Sequence, residues 1–314
     1  MRSALHWAAQ NGHKDIVAVL LKYSDSAWFA DGRTTPLHLA AMNGHTGVVE
    51  LIIRNNGDGH DWRKERMEDP AAIQKINTTL GWRFSKQLEG WYGRKTFSAR
   101  EIAAIYGHDQ TALAFPSSSD DDIFHAISCA CMLGDAHTVE TLWRHHESRS
   151  WWATHSDPRK QVRQFPAPPL HLAVMSGDRA TVAFLLERGL AADGQSSSSS
   201  SDALRPYSAP AHYAAIVGLT KLLQTLEGRQ ADLTALDFMG RTPLSYAIEN
   251  LHEEVVELLV TRKPLGRAAT RAKSANLAYL GPGHVWKDLK SQPPEDVYGS
   301  RIMEALGRVG ITTA

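Results

Sequence analysis

The chain has 314 residues, of which 43% are hydrophobic and 22% are charged. This ordinary balance excludes wholesale disorder and a collagen-like fibre. Thirty-four basic residues balance thirty-four acidic ones, so no excess of positive charge favours general binding to nucleic acid or to an anionic membrane.

The same sequence favours an intracellular location, in the cytoplasm or the nucleus. No apolar run approaches the roughly 20 residues that span a bilayer. The first residues lack the long apolar stretch of a signal peptide. The two cysteines, Cys129 and Cys131, are too few for the disulfide framework of a small secreted protein. We therefore expect reduced thiols buried in a core.

A short pattern recurs along the chain: a leucine and a histidine, a pair of alanines, and a glycine followed by a histidine. The first two copies, Leu5–His13 and Leu37–His45, lie 32 residues apart. Five further copies, of which the first two are weak, begin at Ile102, Ile127, Pro169, Pro210 and Thr242. A recurrence of this size predicts a stack of similar structural units.

Each copy predicts two short helices. Thr35 before Pro36 places a capping hydroxyl ahead of a proline at the first helical position, which is typical of a helix start. The paired alanines keep this first helix thin, so that neighbouring units can approach closely. Gly44 then ends the helix where a left-handed residue is favoured. Apolar pairs one turn apart, beginning with Val48-Val49, predict a second, amphipathic helix.

The pattern Thr-Pro-Leu-His-x-Ala-Ala-x-x-Gly-His, followed by a helix rich in valine and leucine, resembles the ankyrin repeat. The resemblance covers about residues 1–262 and includes seven copies, some of them degenerate. It implies an all-α fold, an ankyrin-repeat solenoid of stacked helix-turn-helix units with short hairpin loops. No single hairpin can bury its apolar face alone, so neighbouring hairpins are expected to stabilise one another.

Four stretches interrupt or follow the repeats. Three are predicted insertions near residues 57–97, 143–165 and 194–208, and the fourth is a C-terminal tail over residues 263–314. The first insertion holds six aromatic residues, which predicts that it packs onto another part of the protein. The third contains six consecutive serines and is predicted to be a flexible surface loop. The tail carries a local charge of +4 and could form a short docking helix at residues 301–308.

No residue pattern predicts catalysis, a cofactor or a metal. Eight of the fifteen histidines occupy repeat positions, where the resemblance implies that those of the Leu-His position hold neighbouring units together by hydrogen bonds. His145, His146 and His155 form the remaining cluster, but adjacent helical residues point about 100° apart and rarely share one metal. We find no phosphate-binding loop, nucleophile elbow or kinase signature.

The resemblance also suggests where a partner would bind. Ankyrin proteins bind other proteins on a concave face, to which the two residues after the alanine pair belong. These positions are polar in the outer copies and apolar in the middle ones, and an exposed apolar groove normally marks an interface. The predicted partner-binding residues are Met42, Ile105, Tyr106, Met132, Leu133, Met175, Ile216, Val217, Phe238 and Met239. The alternative is that the insertion at 57–97 or at 143–165 fills the groove.

A further expectation concerns the first copy. Terminal units of repeat arrays need a polar outer face. Leu5, Ile16, Val19 and Leu20 are therefore expected to leave an apolar edge at this end of the array. Either the chain is a fragment of a longer protein, or something covers that edge.

Together these observations predict a non-catalytic scaffold that binds a protein or peptide on its concave face. The alternative is a regulatory or targeting segment of a larger enzyme or receptor, with the catalytic part outside this chain. A third hypothesis, nucleic-acid contact through the basic tail, has little support from a charge of +4 over 52 residues.

Overall fold

The computed structural model describes residues 3–23, 34–55, 66–80, 96–116, 120–146, 169–193, 209–235, 237 and 241–261. Within these ranges the chain forms fifteen helices and one pair of short strands. It divides into two compact units, Met1–Phe184 and Leu185–Ala314. No helix in the described ranges combines the length and the apolar character needed to cross a membrane.

In chain order the elements are α1 (Ala4–Gln10), α2 (Lys14–Tyr23), α3 (Pro36–Met42), α4 (Thr46–Arg54), β1 (Met67–Glu68), α5 (Pro70–Leu80), β2 (Thr96–Phe97), α6 (Ala99–Ile105), α7 (Asp109–Leu113), α8 (Asp120–Leu133), α9 (Ala136–His146), α10 (Pro169–Ser176), α11 (Arg179–Glu187), α12 (Pro210–Val217), α13 (Thr220–Gly228), α14 (Pro243–Glu249) and α15 (Glu253–Thr261). Apart from α5 they form seven successive pairs, one for each predicted copy, and the all-α prediction is confirmed. The boundary between the two units falls within α11.

The predicted helix starts are present. Thr35 caps α3, where its hydroxyl oxygen accepts a hydrogen bond from the backbone N–H of His38 at 3.4 Å, and Pro36 occupies the first helical position. Thr242 caps α14 in the same way, accepting from the N–H of Ser245 at 3.3 Å. The hydroxyl and the proline satisfy or remove backbone donors that the first helical turn leaves without partners.

In the first two copies the glycine that ends the first helix is required by its neighbours as well as by its backbone. Gly44 has φ +71°, and a Cβ atom placed there would lie 2.8 Å from Nδ1 of His108. In the first copy a Cβ on Gly12 would lie 2.6 Å from Nδ1 of His45. Any larger residue would therefore strain the turn and push the next hairpin away. The last copy differs, because Leu251 occupies this position with φ +57° and is 40% exposed.

In the first unit the hairpins stack through like helices. Helix α3 contacts α1 and α6, and α8 contacts α6 and α10. Among the second helices, α4 contacts α2 and α7. The alanine pairs Ala40-Ala41 and Ala103-Ala104 are fully buried between these helices. Small side chains at the centre of the stack allow the close approach that the sequence predicted.

Histidines join neighbouring hairpins through hydrogen bonds to backbone carbonyls. His6 in the Leu-His position donates from Nε2 to the carbonyl of Thr34 at 3.1 Å, which confirms the role implied by the resemblance. His45, which follows the glycine, donates from Nε2 to the carbonyl of Gln10 at 2.9 Å. A carbonyl can only accept, so Nε2 carries the proton in both bonds.

The second unit contains two complete hairpins, α12–α13 and α14–α15. Helix α12 contacts α14, and α13 contacts α15. His252 donates from Nε2 to the carbonyl of Ile216 at 3.0 Å, as His45 does in the first unit. Burial lowers the pKa of His212, whose Nε2 lies 3.1 Å from the carbonyl oxygen of Arg241, so this ring stays neutral at physiological pH.

The insertion between α4 and α6 contains structure that the repeat pattern did not predict. Strand β1 pairs antiparallel with β2, with Met67 opposite Phe97. Between them lies α5, which contacts α8 and α10. Phe97 is buried, as expected of the aromatic residues in this insertion, and the other five lie outside the described residues.

The remaining interruptions lie mostly outside the described residues. Of the insertion predicted at 143–165, only 143–146 are described, and Trp143 is buried with its ring 5.9 Å from that of Phe184. The predicted loop at 194–208 and the tail at 263–314 are not among the described residues.

The apolar edge predicted for the first copy is confirmed in part. Ile16 and Val19 are 51% and 54% exposed, and Leu20 is partly buried. The prediction was wrong for Leu5, which is only 2% exposed. Helix α1 contacts α2 and α3, and the burial of Leu5 arises among the described residues.

Candidate partner-binding face

Eight of the ten residues predicted to bind a partner lie at the C-terminal ends of first helices. In the first unit they are Met42, Ile105, Tyr106, Met132, Leu133 and Met175, and we refer to this set as the first-helix face. Met42, Tyr106 and Leu133 are partly exposed. Ile105, Met132 and Met175 are buried.

The other four predicted residues belong to the second unit. Ile216 is 6% exposed at the end of α12, and Val217 beside it is partly exposed. Phe238 and Met239 lie outside the described residues. Val217 is thus the accessible member of this group in the described part of the second unit.

Helix α5 lies against the middle of the first-helix face. Its Lys75 donates a hydrogen bond from Nζ to the backbone carbonyl of Ile105 at 2.6 Å. The same ammonium group lies 5.6 Å from the centre of the Tyr106 ring. Two features favour a cation at this position. Ile105 is the last residue of α6, where the helix dipole is negative, and the face of the aromatic ring attracts positive charge.

Asp69 caps the N-terminus of α5 and links the helix to the first-helix face by a hydrogen bond. One carboxylate oxygen, Oδ1, accepts hydrogen bonds from the backbone N–H groups of Ala71 and Ala72 at 3.0 and 3.2 Å. The other, Oδ2, accepts from the hydroxyl of Tyr106 at 2.9 Å. Burial and this hydrogen bond raise the pKa of Tyr106 to about 12, so the hydroxyl remains a donor. Neither Asp69 nor Lys75 was among the predicted residues.

The apolar contact of α5 is a single stripe. Ala72, Ile76 and Leu80 are all at most 4% exposed, and they recur every four residues on one side of the helix. Burying the isoleucine and leucine side chains contributes about 1.5–3 kcal/mol each. The part of the surface that receives this stripe includes α8 and α10.

A buried ionic cluster lies beside this contact. The carboxylate of Glu101 on α6 accepts hydrogen bonds at 2.8 Å from Nη2 of Arg66 and from the backbone N–H of Ser98. Nδ1 of His125 on α8 lies 3.4 Å from its second oxygen. Burial alone would raise the pKa of Glu101, but the His125 hydrogen bond and the Arg66 charge outweigh it and lower the pKa to about 2.

This cluster joins the residue before β1 to two first helices. Sequence reasoning missed it, although one signal was present. Ser98 and Glu101 have the spacing of a capping box, and both of its hydrogen bonds form at the start of α6. The pattern predicts a helix start, but it does not predict that an arginine from the insertion pairs with the same carboxylate.

In the second unit a polar cluster joins Asp237 to the start of α14. The carboxylate of Asp237 accepts hydrogen bonds from the backbone N–H of Arg241 at 2.8 Å and from the hydroxyl of Tyr246 at 2.7 Å. The guanidinium of Arg241 lies 4.2 Å from the centre of the Tyr246 ring and hydrogen-bonds its hydroxyl. The cluster joins Asp237 to Arg241 and Tyr246, and the predicted residues 238 and 239 lie outside the described residues.

The buried thiols fit a structural role. Cys129 and Cys131 on α8 are both fully buried, and burial raises the pKa of each. A neutral buried thiol is neither a good nucleophile nor a metal ligand. In the ranges that the structure describes, no three metal-ligating side chains come together.

The fold defines a class of protein: stacked helical hairpins in which like helices of neighbouring units pack side by side. The family model described as "Ankyrin repeats (3 copies)" matches residues 1–63 and 127–268. The chain belongs to the ankyrin repeat family. Ankyrin repeats are generally protein–protein interaction modules, and the fold is typically non-catalytic.

Two known proteins are similar to parts or all of this chain. Mouse Rabankyrin-5 is 31% identical over 96 residues, which cover 29% of this chain and 8% of Rabankyrin-5. The crystal structure of the human ASB11 ankyrin repeat domain superposes with a TM-score of 0.49 at 16% identity, covering 90% of this chain and 100% of that domain.

Proposed function

We propose that this chain is a non-catalytic scaffold that binds a protein or peptide through the ends of its first helices. The observation that carries the proposal is that the first-helix face already holds a helical segment, α5, by an apolar stripe and specific polar contacts. A surface that can bury one helix has the shape and chemistry for peptide recognition.

The proposed binding surface includes two accessible regions. Met42 and Leu133 are partly exposed on the first unit, and Val217 is partly exposed on the second. Their apolar side chains are suited to partner contacts, where methionine and other adaptable residues are favoured. The protein would act inside the cell, in the cytoplasm or the nucleus, with no cofactor of its own.

Site-specific photo-crosslinking tests the proposal. A photoreactive amino acid is placed at Leu133 or Val217 on the proposed surface, and at Glu50 or Lys221, which are exposed on second helices, as matched controls. We expect adducts with a protein partner from the proposed positions and none from the controls. Adducts from the control positions alone would contradict the proposal.

The alternative function is a regulatory or targeting segment of a larger enzyme or receptor. It is favoured by Rabankyrin-5, in which the similar stretch is only 8% of the whole protein. The length of the natural polypeptide, measured by immunoblotting with an antibody against this chain, distinguishes the two. A band near 34.6 kDa would exclude the larger protein.

A further inference from the structure

Helix α5 contacts the rest of the first unit through one face, as a helical peptide contacts its receptor. One apolar stripe, Ala72, Ile76 and Leu80, is buried. Two polar side chains of the helix segment, Asp69 and Lys75, bond to groups at the end of α6. The opposite side of the helix, which includes Gln74 and Thr78, is exposed. The contact is therefore one-sided, unlike that of α3 or α6, which are packed between neighbouring helices.

The fit of this resident helix is imperfect at one position. Oδ1 of Asn77 is buried and has no hydrogen-bond partner within the described residues. Asn77 follows Ile76 directly and is partly buried. A buried polar atom without a partner weakens the contact, because the desolvation of that atom is not offset by a hydrogen bond. A helix with an apolar residue in place of Asn77 would fit the same surface better.

The contacts define the chemistry of a helix that could replace α5. It begins with a carboxylate that caps the helix and accepts from the Tyr106 hydroxyl. Apolar residues follow at the spacing of Ala72, Ile76 and Leu80, and a basic residue at the position of Lys75 reaches the Ile105 carbonyl. This is an amphipathic helix with its own N-cap, the class of peptide that lies in an apolar groove through one face.

We propose that the surface under α5 is a binding site for such an amphipathic helix of a partner protein, and that α5 occupies the site until the partner displaces it. The inference rests on the proposed function and specifies the partner. Tyr106, one of the predicted partner-binding residues, hydrogen-bonds Asp69 of the resident segment and is free to contact the partner only after α5 has left.

Because α5 belongs to the same chain as its site, it competes strongly with a separate partner helix for that site. A segment joined to its site by a short connection acts at an effective concentration of about 1 mM. A partner must therefore gain affinity beyond the contacts that α5 makes, and the position of Asn77 offers such a gain. Strengthening α5 at this position should correspondingly close the site.

Hydrogen exchange of the full chain tests whether α5 leaves while the repeats stay folded. We expect amides of residues 73–80 to exchange at least about tenfold faster than those of residues 124–133 in α8, because their opening does not require unfolding of the array. Asn77→Leu should slow exchange of α5 at least about tenfold more than Thr78→Leu does, since Thr78 is exposed on the same helix and controls for helix propensity. Equal exchange of α5 and α8, or equal effects of the two variants, would overturn the proposal.

A second experiment tests the partner class. The probe is a fluorescent peptide with the sequence of residues 67–80 carrying Asn77→Leu, added to the wild-type chain and to the Ile76→Asp/Leu80→Asp variant. We expect the variant to bind the peptide at least about tenfold more tightly, a difference of about 1.4 kcal/mol. The same peptide carrying Ile76→Asp should not bind. Absence of binding to the folded variant at about 1 mM peptide, or equal binding to both chains, would overturn the proposal.

Circular dichroism establishes that the variant keeps its helices. If the variant does not fold, Lys75→Ala takes its place, because it removes an exposed side chain of α5. The expectation is the same, with a smaller fold-change in affinity.

A wild-type dimer in which two chains exchange their α5 helices would identify a second copy of this chain as the occupant. That result would overturn the proposal that the occupant is a partner protein. Adducts at Leu133 and Val217 without peptide binding would leave the proposed function standing and remove only this inference. Peptide binding without those adducts would leave this inference standing and remove the proposed function.

Discussion

Two hairpins with almost the same sequence pattern differ sharply in burial. Ile16 on α2 is 51% exposed, whereas Val48, 32 residues later on α4, is 2% exposed. Trp7 on α1 is 53% exposed, and Leu39 at the same position of α3 is 3% exposed. The second hairpin has described neighbours on both sides, and the first has one only on the side of α3 and α4.

The comparison shows that a residue's contribution in this fold is set by its neighbours rather than by its place in the motif. The stability of such an array is approximately a sum of hairpin terms and nearest-neighbour terms. Identical substitutions in the two hairpins should therefore have different effects, and matched pairs of variants measure that difference.

The largest difference is expected for an isoleucine. Ile52→Ala on α4 should lower the free energy of unfolding by about 3 kcal/mol, because the side chain is 1% exposed and its loss leaves a cavity. Ile16→Ala on α2 should cost less than about 1 kcal/mol, because half of that side chain is already in water. Urea denaturation followed by circular dichroism measures both. Equal costs would show that α2 has a neighbour outside the described ranges.

A smaller difference is expected between two glycines with a positive φ, one that ends a first helix and one that follows the second helix α11. Gly44→Ala should cost about 2 kcal/mol, since it combines an unfavourable positive φ with a contact to the His108 ring. Gly189 also has a positive φ, +88°, but nothing lies within 4 Å of its Cβ position. Gly189→Ala should therefore cost only about 1 kcal/mol. If thermal denaturation ranks the two variants equally, the close approach of the histidine ring adds nothing.

The smallest difference is expected for the histidine that follows the glycine. His45→Ala removes the hydrogen bond to the Gln10 carbonyl and should cost about 1 kcal/mol. His13→Ala should change stability by less than about 0.5 kcal/mol, because His13 is exposed on the outer side of the first hairpin. The double variant in the same urea assay should show additive costs. A larger loss for His13→Ala would mean that its ring has a partner outside the described residues.

The repeat pattern was sufficient for much of the fold. Thr35-Pro36 and Thr242-Pro243 start helices as predicted, and Gly12 and Gly44 have the predicted positive φ. These features are local, because capping and turn formation involve residues only a few positions apart. The same local reasoning placed Ile105 and Tyr106 at the end of a first helix.

The arrangement around α5 could not be predicted in the same way. The insertion has no second copy in the chain against which its pattern could be compared. The hydrogen bond between Tyr106 and Asp69 joins residues 37 positions apart, and no local rule predicts such a pair. The role of the ten predicted residues in binding stays a prediction.

Leu251 ends the first helix of the last described hairpin with a left-handed residue that is not glycine. At Gly12, Gly44 and Gly218 the imidazole of the following hairpin lies within 3 Å of the position that a Cβ atom would take. A leucine carries that Cβ atom, so an imidazole cannot approach this turn as closely as it approaches those glycines. A hairpin packed on α14 and α15 would therefore need a different contact at this turn.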